Sequence, residues 1–224
     1  MGEISPWIKY ISDIILGMQD GIVTVLGLTL GLVFANSPVN IILVAGLSTA
    51  FAESISMGGV AFTSTVAKRD EYLKIKKMVK SEIELNIKKE HLTKIYRKYG
   101  LGENTLNSLI ELISANGNVL DNVIISEGYN IEQIDTKQIY KDTVIVGLSS
   151  FIGCIIPLIP FFFTGGRAAL LLSFTISAFL LFFIGAYKAY SLVGKWYVSG
   201  LQIMLIGLLS AIVGGFIGSI LKIK

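Results

Sequence analysis

Two carboxylates stand in stretches that are otherwise nearly all apolar: Asp20 within Asp13–Ala35, and Glu53 within the next apolar run. A carboxylate at membrane depth costs a few kcal/mol unless something compensates it, and neither run holds a Lys, Arg or His to do so. The runs are joined by the short turn Asn36-Ser37-Pro38, so the two acids are expected to approach each other. Side by side they repel unless a cation or a proton neutralises them. That conflict suits a site that alternates between a divalent cation and protons. Ser56 and Met57 follow Glu53 by three and four residues, on the same helical face. A thioether beside a carboxylate favours a borderline or soft transition metal over magnesium or calcium. The plainer reading makes Met57 a packing residue and the acids protonated, structural groups. Unpaired intramembrane acids, however, mark pathways and relays by default.

The charged middle of the chain offers further candidate ligands in Glu82, Glu84, Glu90, His91, Glu103, Glu111 and Glu127. Most charges on amphipathic helices simply face water. With one histidine, His91, the chain cannot build a His-rich zinc site, and with one cysteine, Cys154, it has no internal disulfide. There is no Gly-rich phosphate loop and no Ser/His/Asp set, so ATP-driven pumping and nucleophilic hydrolysis are not indicated. An intramembrane aspartyl hydrolase would need two aspartates and a Gly-x-Gly-Asp motif, whereas here Asp is matched with Glu. The reading is not an enzyme, with no prosthetic group and no nucleic acid partner.

The elements that position these residues follow from patterning. The sequence is 53% hydrophobic and 16% charged with mean hydropathy +0.69, which describes a polytopic membrane protein. Of 19 Lys and Arg, 13 fall between Lys68 and Asp142, with 12 of the 16 Asp and Glu. The fold expected is therefore all-α: residues 1–67 carry a lead-in and two spans, 68–142 a water-exposed helical insert, and 143–224 three more spans. The spans run about Asp13–Ala35, Val39–Ala67, Thr143–Thr164, Ala168–Tyr190 and Trp196–Leu221. The second exceeds the ~20 residues needed to cross a bilayer, so it should continue into water. In the first, Asp13, Gly17, Asp20, Thr24, Gly27 and Gly31 share one stripe, a close-approach face for a partner or a water-filled path. In the fifth, Gly200, Met204, Gly207, Ala211, Gly214 and Gly218 form a second small-residue seam.

Within the insert, Ile75, Val79, Ile83 and Ile87 recur every fourth residue, which predicts one amphipathic helix. Further helices are expected over Glu90–Tyr99, ended by Gly100, over Glu103–Ser114, and over Asn118–Glu127, ended by Gly128. Asp135 and Gln138 resemble a capping box that opens the next helix. Lys and Arg place the insert, Lys9 and the Lys188/Lys195 loop in the cytoplasm, and the Asn36–Pro38 and Arg167 turns outside. The N-terminus lacks a basic region and a cleavage site, so no removable signal peptide is expected. Short tails and Ile/Lys-rich usage point to a prokaryotic cell membrane.

Three stretches resemble the vacuolar iron transporter family: LGMQDGIVTVLGLTLG, AESISMGGVAFTS and IIPLIPFFF. IYRKYGL in the insert and the order of two spans, insert and three spans are similar as well. The resemblance covers nearly the whole chain. It implies a homodimer of five-span protomers whose first spans line a path, carrying ferrous iron or manganese out of the cytosol in exchange for protons. If the chain is eukaryotic, it implies the vacuolar membrane. It makes Asp20 and Met57 path residues, with Glu53 a path acid by position, and makes Glu82, Glu90 and Glu127 metal ligands of a cytosolic collecting domain. The chain departs from the family in reading Ala61 and Phe62 for Glu-Tyr after the Ser-Met-Gly motif, and Val123 and Ile124 at methionine positions of the insert. The path is kept and the collecting site is thinned. Transport of another cation or small solute, and a non-transporting membrane regulator, are the alternatives.

Overall fold

The computed structural model describes residues 6–81, 85–191 and 194–220. The described residues are all-α, and five helices are long and apolar enough to cross a membrane. This is a polytopic membrane protein. Its helices are α1 (Pro6–Phe34), α2 (Val39–Ser81), α3 (Leu85–Arg97), α4 (Glu103–Ser114), α5 (Gly117–Val123), α6 (Thr136–Phe163), α7 (Gly166–Ser191) and α8 (Trp196–Ile220). A π-helical turn, Ile124–Gly128, follows α5. By compactness the chain divides into one unit ending at Phe62 and resuming at Tyr140, and a second unit, Thr63–Ile139.

In the first unit, packing follows the small residues. α7 buries Ala169, Ser173, Ser177, Leu181, Gly185 and Ala189, a four-residue repeat that keeps one thin face along the helix. α8 buries Gly200, Ile203, Gly207, Ala211 and Gly215, the first of them against α7 and Ala211 and Gly215 against α1. A methyl group on Gly200 would come within 2.8 Å of the Phe182 carbonyl oxygen, and one on Gly207 within 2.6 Å of Leu181. In lipid, helix association relies on van der Waals contact, so backbones this close matter more than side-chain hydrophobicity. The lower part of the predicted α8 seam goes elsewhere: Gly214 and Gly218 lie against Gly27 and Gly31 of α1. Pro157 and Pro160 sit inside α6 without ending it. Ser173 Oγ on α7 donates to the Pro157 carbonyl at 2.7 Å, and Thr164 Oγ1 donates to that of Pro160 at 3.0 Å.

The turn between α1 and α2 is set by Asn36 at φ 60°, a region Asn tolerates. The amides of Asn36 and Ser37 bond back to the Val33 and Leu32 carbonyls, closing α1 before Pro38 starts the next helix.

The second unit is built on Tyr72, Val79, Leu92, Leu106, Ile110, Leu120, Ile124 and Ile125. Of the single amphipathic helix expected through Ile75–Ile87, α2 is described to Ser81 and α3 from Leu85, and Ile83 lies outside the described residues. Val79 is buried but Ile87 is 40% exposed, and Leu92 takes the core position on α3. Gly100, at φ 71°, stops the chain after α3 in the left-handed conformation expected of it. α4 ends at Ser114 as expected, and Asn116 caps α5: its side-chain oxygen accepts from the amides of Asn118 and Val119 at 3.1 and 3.4 Å. Lys88 and Asp121 form an ion pair at 2.7 Å, each side chain only 12% exposed, tying α3 to α5.

Candidate functional site

Asp20 on α1 and Glu53 on α2 are brought together through α6, which both helices approach closely. Methyl groups on Gly17 and Gly21 would collide with α6 at the Val146 and Ser150 carbonyls, and one on Gly153 would strike the Met18 carbonyl. α1 can therefore lie flat on α6 only because these positions lack side chains. α2 meets the other flank of α6 through Gly58 and Gly147: a methyl on Gly147 would lie 3.6 Å from Gly58 Cα. Ser54 Oγ, next to Glu53, donates to the Gly147 carbonyl at 2.8 Å and fixes the rotation of α2 at this level.

The result is a side-chain hydrogen bond between Glu53 and Asp20, both half-buried. Two carboxyl groups can share a hydrogen bond only while at least one of them is protonated. Chemically, a cation between two such carboxyls would take the place of that proton, with oxygens of both as ligands.

Met57 stands one turn beyond Glu53 on α2 and is half-exposed. Cys154 of α6 belongs to the same neighbourhood. Its thiol is fully buried, would lie 3.0 Å from a methyl on Gly21, and sits within electrostatic reach of Glu53 and Asp20. Ser150, one turn earlier on α6, is also fully buried, and its hydroxyl has no hydrogen-bond partner among the described residues. The sequence reading took Cys154 only as evidence against a disulfide. The available signal was Ser150 and Cys154 four residues apart in an apolar span that also holds Gly147 and Gly153.

The insert residues are not gathered in this way. Glu90 is exposed and bonded to Lys94 at 2.9 Å, and that ammonium, with a smaller contribution from His91, holds the Glu90 carboxyl below the usual carboxylate range. Glu127 is exposed near Tyr96, whose phenol is raised above its ordinary value by burial first and by the Glu127 charge second. Glu82 lies outside the described residues. Among the described residues no three of His, Cys, Asp and Glu stand close enough to hold a metal ion. One chain thus offers a carboxyl pair with a methionine and a thiol nearby.

The model of the VIT family matches residues 11–219. Among similar proteins, a vacuolar iron transporter of Plasmodium falciparum (isolate 3D7) is 29% identical over 224 residues, 95% of this chain and 82% of that protein. Vacuolar iron transporter 1 of Oryza sativa subsp. japonica is 26% identical over 206 residues, covering 91% of this chain and 82% of the relative. The protein of the same name from Tulipa gesneriana is 24% identical, covering 90% and 83%. The matched segment runs from early in α1 to the last turn of α8 and so takes in all five membrane helices: this chain belongs to the VIT family.

Proposed function

We propose that this protein carries a divalent transition metal, ferrous iron or manganese, out of the cytosol in exchange for protons, acting as a homodimer. The observation that carries this reading is the hydrogen-bonded Asp20–Glu53 pair inside two membrane helices. An acidic residue at the centre of a membrane helix costs about 3 kcal/mol. Two together are retained where the pair does work. When the ion arrives, the shared proton leaves and both carboxylates ligate. When protons return from the far side, the carboxylates release the ion. Met57, and the Cys154 thiol behind Gly21, shift the preference toward softer ions than magnesium.

The homodimer follows from ligand count. Two carboxylates do not complete a coordination shell, and a two-fold axis near α2 would double Asp20, Glu53 and Met57. α2 supports this because its membrane part is the least covered by the rest of the chain, together with α8, and its face at Val44, Ser48, Ala52, Ile55 and Ser56 is exposed. The small residues of α1 are engaged by α6 and α8 of the same chain, so α2 is the better surface for a second copy. The insert and the Lys188–Lys195 loop face the cytosol in this reading. Glu90 and Glu127, with Glu82, could collect ions there, although Glu90 must first leave Lys94.

The test is flux into proteoliposomes containing a metal-sensing dye and a pH dye. Ferrous or manganous entry with opposite proton movement is expected for the wild type and not for Asp20→Ala or Glu53→Ala, with folding retained in both. Normal transport by both variants would end the proposed mechanism. Failure of ferrous and manganous ions to compete with another transported cation would reassign the cargo.

A further inference from the structure

The first unit also holds a basic pocket whose lining does not include the carboxyl pair. A cavity of about 350 Å³ opens where α7 ends and α8 begins, lined by Lys188, Gly194, Lys195, Ser199 and Gln202. That is the lower end of the range for small-molecule sites. Neither lysine forms an ion pair with a described residue. No Asp or Glu occurs anywhere after Asp142, so α7 and α8 themselves contain no acid. The first turn of α8 adds the positive end of its dipole to the two ammonium groups. Ser199 and Gln202 supply neutral hydrogen-bonding groups beside the charge.

The surroundings identify the kind of anion. Tyr187 and Tyr190 near the end of α7, and Trp196 and Tyr197 at the start of α8, are 57%, 84%, 55% and 51% exposed. Exposed Tyr and Trp at the ends of spanning helices mark the headgroup level of a bilayer. Trp196, the first residue of α8, is held edge-on to Phe182 of α7 at 6.2 Å. The remaining walls, Ala189 and Val198, are apolar. A pocket with cationic, hydroxyl and amide groups within and apolar walls, set at headgroup depth between two spans, fits a phosphodiester that arrives attached to a lipid.

The geometry points to a binding site for the headgroup of an anionic phospholipid between α7 and α8, with Lys188 and Lys195 bracketing the phosphate and Ser199 and Gln202 contacting the polar headgroup. The bound lipid would tie the α7–α8 pair to the inner surface of the membrane. The site stands apart from the proposed metal path, so its test does not depend on transport.

The experiment is native mass spectrometry of the full-length protein in detergent with equal phosphatidylglycerol and phosphatidylcholine. The wild type is expected to retain phosphatidylglycerol selectively. Each lysine near a membrane surface contributes about a fivefold preference, so Lys188→Gln with Lys195→Gln should reduce that selectivity by about 25-fold. Lys188→Arg with Lys195→Arg should restore it, showing that charge and not the fold was lost. Equal retention of both lipids by the wild type would overturn the assignment, as would undiminished selectivity in the glutamine variant. Displacement of the lipid by an equal concentration of inorganic phosphate would also overturn it, by making this a site for free anions.

Discussion

Gly21→Ala isolates the contact on which the carboxyl pair depends. A methyl group at Gly21 would strike the Ser150 carbonyl oxygen and lie 2.8 Å from the Cys154 amide nitrogen and 3.0 Å from its thiol. Two of these obstacles are backbone atoms of a packed helix, which cannot rotate aside as a side chain can. Relief requires α1 to move away from α6, and Asp20, the preceding residue, moves with it. Overpacking of this kind costs about 1–3 kcal/mol, which lowers a melting midpoint by roughly 2–4 °C per kcal/mol in a chain of this size. A shift of a few tenths of an ångström also weakens the Asp20–Glu53 hydrogen bond, so flux should fall further than stability. Gly117→Ala is the control, since a methyl there meets nothing within 4 Å. Both variants would be followed by thermal unfolding in detergent and by metal flux in proteoliposomes. If Gly21→Ala melts and transports like Gly117→Ala, close approach of α1 to α6 does not position the pair.

Three further outcomes follow from the geometry. Lys88→Met should strand Asp121 without its partner and cost about 3–5 kcal/mol, while Lys88→Met with Asp121→Leu should recover most of it; hydrogen exchange of α3 and α5 amides reads both. Lys94→Ala should move the Glu90 titration back toward the ordinary carboxylate range, as followed by carboxyl NMR. Because the folded-state value is lowered, the small stabilisation from Glu90 is present above the unfolded carboxylate range and is lost as pH falls through the folded value; salt should screen it. Cys154 should resist a membrane-permeant maleimide in the folded protein and react on unfolding, and rapid labelling of the native state would contradict its burial between α1 and α6.

Sequence alone determined the membrane helices and the unusual acids, because both are local. Twenty apolar residues in a row have few ways to satisfy their backbone other than as a spanning helix, and a carboxylate among them is conspicuous without any coordinates. Helix stops such as Gly100 were legible for the same reason, as their chemistry acts within one turn. Sequence could not assign the partners of the small-residue stripes. Gly17 and Gly21 serve α6, while Gly27 and Gly31 of the same stripe serve α8, and a glycine carries no mark of which backbone it admits. The same limit concealed Cys154. Its place beside Asp20 and Glu53 exists only because α1 and α6 touch, and that depends on the shapes of both helices at once.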